Sequence, residues 1–120
     1  MEDKKMSYDF VCFTDLANEI SSEYKKETEK KIKRRLKYYN LGDYKQDKVD
    51  YIRQLKDELC AEIHLYNKSK YYQAKGRGYA NIDDFDTSRM FTDYLKKYDR
   101  IAKSDMYGIL NFAIYLYWLR

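Results

Sequence analysis

Asp105-Met106-Tyr107-Gly108-Ile109-Leu110-Asn111-Phe112-Ala113-Ile114-Tyr115-Leu116-Tyr117-Trp118-Leu119 is the stretch whose reading decides the fold. After Asp105 it carries no charge, and Asn111 is its only amide. Wound as a helix it is apolar or aromatic on every side, which is the pattern of a buried helix. It falls short of the roughly 20 apolar residues that cross a bilayer. The stretch therefore predicts a central helix on which other helices lay their apolar stripes. Ser104 is placed to cap it, and Asp105 sits in the first turn, where a negative charge suits the helix dipole. Gly108 and Asn111 are the two residues that bulk packing does not explain. A mid-helix glycine costs about 1 kcal/mol against alanine, and a buried amide needs hydrogen-bond partners. Both are read as marks of close helix packing, with an inherited ligand-binding site as the alternative.

Working outward, Met90, Phe91, Tyr94, Leu95, Tyr98 and Ile101 define a helix over about residues 87–102. Before it lie a turn-rich acidic link, Asn81 to Asp86, and the breaker Lys75-Gly76-Arg77-Gly78. Val49, Ile52, Leu55, Leu59, Ile63 and Tyr66 form one stripe of a second helix, which starts between Asp43 and Asp47 and runs through Tyr71 and Tyr72 to about Ala74. Leu16, Ile20, Tyr24, Thr28, Ile32 and Leu36 recur every four residues and predict one long first helix, capped by Thr14 or Ser7 and running to about Tyr39. Asn40-Leu41-Gly42-Asp43 ends it, with Gly42 expected in the left-handed conformation of a helix stop. The chain has no proline, no sustained period-two alternation and no Asn-Gly hairpin turn. The expectation is an all-α fold, a single helical domain over residues 1–120 with about four helices and a buried C-terminal one.

The formal net charge of +4 is unevenly spread. Residues 25–37 hold eight Lys or Arg and two Glu, which leaves 16 basic against 18 acidic residues in the remainder. Lys25, Lys26, Lys30, Lys31, Lys33, Arg34, Arg35 and Lys37 form a basic stripe suited to phosphates. Tyr38 and Tyr39, with Tyr44 nearby, are suited to stacking on bases. The same stripe also reads as a solvated helix face, because Glu27 and Glu29 are mixed in, or as the surface for an acidic protein partner. Lys75 to Gly78 reads either as an anion cradle or as a plain connector. Tyr71, Tyr72, Tyr115 and Tyr117 exceed what four helices bury, which points to a protein partner or a homodimer contact. One histidine and two cysteines do not make a zinc site. His64 has no evident catalytic partner. Without a signal peptide or a membrane span, Cys12 and Cys60 are expected to be reduced thiols of a cytoplasmic protein.

Among the carboxylates, Glu58 and Glu62 are four apart on one helix face, and Asp105 is placed to join them around a divalent cation. From about Lys56 onward the chain resembles the all-α nucleotide pyrophosphohydrolases of the MazG type. The matching residues are Asp57-Glu58-Leu59-Cys60-Ala61-Glu62, Gly78-Tyr79-Ala80-Asn81, Lys96-Lys97-Tyr98-Asp99-Arg100-Ile101 and Asp105-Met106-Tyr107-Gly108-Ile109-Leu110-Asn111-Phe112-Ala113. The resemblance implies Glu58, Glu62 and Asp105 as magnesium ligands, with Lys97 and Arg100 near phosphates. The chain departs from that pattern at Gly108, where a second acid is expected. In composition the chain also resembles small phage or mobile-element proteins that inhibit or regulate host machinery, including defence systems. The expectation favoured here is accordingly a non-enzymatic, cofactor-free binding protein that engages a host protein or nucleic acid. The alternative is a magnesium-dependent pyrophosphohydrolase-like enzyme.

Overall fold

The computed structural model describes residues 6–19, 21–73 and 84–119. Among them the fold is all-α. Five helices follow one another: α1 (Tyr8–Ala17), α2 (Lys25–Tyr38), α3 (Gln46–Ile63), α4 (Thr87–Lys97) and α5 (Lys103–Ile114). The chain gathers into two compact units, residues 1–56 and 57–120. The loop Lys75 to Gly78, the residues Asn81 to Asp83 of the acidic link, and Ile20 lie outside the described residues.

In the first unit the expected single long helix is two helices, which raises the count from four to five. Ser7 caps α1 by accepting from the Phe10 amide at 3.1 Å. At the other end the Asn18 side chain donates to the Thr14 carbonyl at 2.8 Å, and a 3-10 turn, Ser22–Tyr24, leads into α2. Short polar side chains compete for backbone partners in this way and favour turns over continued helix. α1 then packs against α2. Leu16, Ile32 and Leu36 of the predicted stripe are buried, whereas Tyr24 is exposed.

The end of α2 corrects a second expectation. The Leu41 amide donates to the Leu36 carbonyl at 2.9 Å and the Asn40 amide to the Lys37 carbonyl at 3.1 Å. This pair of bonds is a Schellman ending, and the left-handed residue in it is Asn40, at φ +56°. Gly42, at φ +108°, shapes the loop beyond.

α3 carries the stripe as read: Val49, Ile52, Leu55, Leu59 and Ile63 are all fully buried. It ends at Ile63, short of Ala74, in a turn through Tyr66, which has φ +54° and is exposed. In the second unit an isolated bridge pairs Tyr72 with Phe85. Asp86 caps α4 by accepting from the Arg89 amide at 3.2 Å, and α4 ends at Lys97, five residues earlier than expected. Ala102 precedes α5, so Ser104 lies inside the helix and does not cap it.

α5 packs against α4 and buries Met106, Ile109, Leu110, Ala113 and Ile114. The burial is one-sided, however. Tyr107 and Tyr115 are exposed, and residues 115–119 continue as a π-helical turn. Among the described residues no helix is long and apolar enough to cross a membrane.

Candidate functional site

Thr28, Ile32 and Leu36 are the buried residues of α2, and they fix which side of that helix faces outward. At 3.6 residues per turn, Lys26, Lys30, Lys33, Arg34 and Lys37 fall within an arc of about 100° on the other side, along about 16 Å of helix. All five are exposed. The predicted basic stripe is therefore a real face, but not every cation in it is available. Asp15, a buried carboxylate of α1, takes Arg35 at 2.6 Å and Lys31 at 3.7 Å through the same oxygen. Burial tends to lower the Arg35 pKa, but the hydrogen bond and charge of Asp15 outweigh it and hold the guanidinium more firmly charged. Arg35 and Lys31 thus belong partly to the scaffold. Lys25 is exposed at the first position of α2 and lies outside the arc.

The tyrosines complete this face. Tyr38 is 81% exposed, in contrast to Tyr39 at 40%. The two rings meet edge to face at 4.9 Å, and the Arg35 guanidinium lies 5.9 Å from the Tyr39 ring centre. Lys33 lies over the Tyr44 ring at 4.9 Å. Arg34, Arg35, Lys37 and Tyr38 line one open cleft of about 470 Å³. A second cleft, of about 400 Å³, contains Lys33, Lys37, Asn40, Gly42 and Tyr44, with Asp43 as its one acid.

The acids singled out from the sequence lie in the second unit. Glu58 and Glu62 line a cleft of about 530 Å³ together with Asp93, Lys70, Lys96, Lys97 and the rings of Tyr71 and Tyr94. Asp105 is not among its lining residues. Each carboxylate of the cleft already has a protein partner. Glu58 accepts from Lys97 and from the Tyr98 hydroxyl, both at 2.5 Å. Glu62 accepts from the Ser69 hydroxyl at 2.5 Å, and Asp93 from the Tyr71 hydroxyl at 2.8 Å. Burial would raise the Glu58 pKa, but the hydrogen bonds from Lys97 and Tyr98 and the Lys97 charge hold it below the ordinary value. Burial together with Asp93 and Glu62 pushes the Tyr71 hydroxyl upward.

Among the described residues, no group of three or more His, Cys, Asp or Glu side chains is placed to hold a metal ion. Glu58, Glu62 and Asp105 as arranged do not fit the magnesium site that the resemblance implies. The Lys97 ammonium is bonded to the Glu58 carboxylate. Arg100 is exposed, and Gly78 to Asn81 lie outside the described residues.

No protein-family model, curated protein or solved structure matches this chain.

Two features escaped the sequence reading. One is the contact between the Cys60 sulfur and His64 Nδ1, at 3.4 Å. Their spacing of four residues on a helix was the available signal. The other is the aromatic cluster around Trp118, which donates to Asp84 at 3.1 Å and packs on Phe85, Tyr72 and Tyr66. Of the four surplus tyrosines, Tyr71 is buried, Tyr72 and Tyr117 are half-buried, and Tyr115 is exposed. Residues so far apart in the chain gave no local signal.

Proposed function

We propose that the protein is a binding protein without chemistry of its own, that its working surface is the outward face of α2, and that its ligand is nucleic acid held through phosphates. The observation that carries this reading is the set of five exposed cations on one arc of one helix, beside a body whose remaining charges nearly cancel. Such a face holds a polyanion by displacing its condensed counterions. Occupying a nucleic acid in this way is the action of a regulator or inhibitor and needs no catalytic group.

The test is charge reversal on the arc, Lys30→Glu together with Arg34→Glu. Arg35 is left intact because its bond to Asp15 supports the fold. Binding of a labelled duplex and a labelled single strand, followed by anisotropy at low salt, should be lost in this variant while its circular dichroism stays unchanged. Undiminished binding, or none by the unaltered protein, removes the proposal. Equal affinity for polyglutamate transfers the surface to an acidic protein partner.

A further inference from the structure

Tyr38 is the most exposed of the large hydrophobic side chains on the described surface, at 81%. Leaving an aromatic ring in water forgoes the stabilisation that burying a large apolar side chain returns. This ring is also held in place. Asp15 fixes Arg35 at 2.6 Å, the Arg35 guanidinium faces the Tyr39 ring at 5.9 Å, and the Tyr39 ring meets Tyr38 edge to face at 4.9 Å. A buried carboxylate thus supports, through two intermediaries, a ring that stands in solvent. Arg34, Arg35 and Lys37 line the same open cleft as that ring. The platform therefore shares one site with two of the five arc cations, Arg34 and Lys37.

We infer that Tyr38 is a stacking platform for an unpaired base, and that the preferred ligand of the α2 face is single-stranded nucleic acid over duplex. This rests on the proposal that the α2 face binds nucleic acid. In a duplex the base faces are already stacked on one another, and an aromatic side chain reaches them only by unstacking. In a single strand the base faces are available, and stacking on an aromatic ring is tolerant of sequence. The cations hold the backbone while the ring holds a base, which matches the pairing of positive groove and aromatic platform that single-strand binders use. A duplex would gain from the cations alone. An acidic polypeptide would also satisfy the cations but has no flat ring to lay on Tyr38 at each position.

The experiment compares an oligodeoxythymidylate of about 12 nucleotides with a hairpin duplex of equal phosphate number, by anisotropy at one salt concentration. The unaltered protein should bind the single strand more tightly. Tyr38→Ala should weaken single-strand binding roughly tenfold and erase the preference. Tyr38→Trp should keep or increase it, which separates loss of the ring from any damage to the helix end. An unchanged preference in Tyr38→Ala overturns the inference and leaves the α2 face as a phosphate surface only. Equal binding of strand and duplex by the unaltered protein overturns it in the same way. Failure of both polymers to bind at low salt overturns the inference together with the reading on which it rests.

Discussion

Asp15 ties the scaffold to the functional face. It is buried, and it holds Arg35 and Lys31 through a single oxygen. Asp15→Asn removes the charge that Arg35 is built against and leaves a partly buried guanidinium under-compensated. A loss of about 2 kcal/mol is expected in urea unfolding, somewhat below the range for a fully buried pair because Arg35 retains access to water. The two cysteines should separate cleanly. Burial and the nearby Asp9 and Asp15 push the Cys12 thiol up to about 12, so it stays protonated and inert at neutral pH. Cys60 is half-buried beside His64. In the folded protein a thiol reagent should label Cys60 and spare Cys12, as read by peptide mass. Equal labelling would contradict the burial described here. Glu58 supplies a pH signature. Because its pKa is held below the ordinary value, its bonds to Lys97 and Tyr98 stabilise the second unit above the ordinary carboxylate range. That contribution is lost as pH falls through the lowered value. Thermal melts should show an acid-side decline that shrinks in Lys97→Met.

At the scale of elements, the ending of α2 sets where Tyr38 and Tyr39 stand. Asn40 occupies the left-handed position that closes this helix. Asn40→Gly should be tolerated, while Asn40→Leu should cost up to about 1 kcal/mol, because leucine lacks the short polar side chain whose local hydrogen bonds let asparagine adopt that conformation. The chain's helices were legible to different degrees, and for physical reasons. Val49 to Ile63 announced α3, because burial of one helix face dictates residue types at three- and four-residue spacing. The same every-fourth pattern ran through residues 16–28 and concealed a break there. Capping by Asn18 and the turn before α2 are local hydrogen-bond choices that do not disturb hydrophobic spacing. The sequence of residues 106–119 is apolar or aromatic on all sides, yet its burial is one-sided. Tyrosine explains the difference, since Tyr107 and Tyr115 keep their rings at the surface and still count as aromatic in a sequence pattern.

For the molecule as a whole, charge distribution carries the functional account. The basic stripe was visible in composition alone, because a run of eight cations on one helix has few alternatives to an exposed face. What the sequence hid was the division of labour within it. Asp15 claims Arg35 and Lys31 from a position 16 to 20 residues away, and only the fold brings them together. The pairing in the Glu58 cleft was hidden for the same reason, since Lys97 and Tyr98 reach Glu58 across 39 and 40 residues. With that carboxylate already paired to an ammonium, a panel of nucleoside triphosphates with magnesium should yield no pyrophosphate. Turnover abolished by Glu58→Gln would revive the enzymatic alternative.

The central claim is that five cations of α2 meet phosphates. It is tested most directly by the slope of log affinity against log salt concentration for a duplex ligand. Contacts to three to five of them predict a slope of about −2.7 to −4.5, reduced by roughly 1 for each cation neutralised along the arc, for example in Lys30→Gln. A slope near zero, or one that Lys30→Gln and Arg34→Gln leave unchanged, would contradict it.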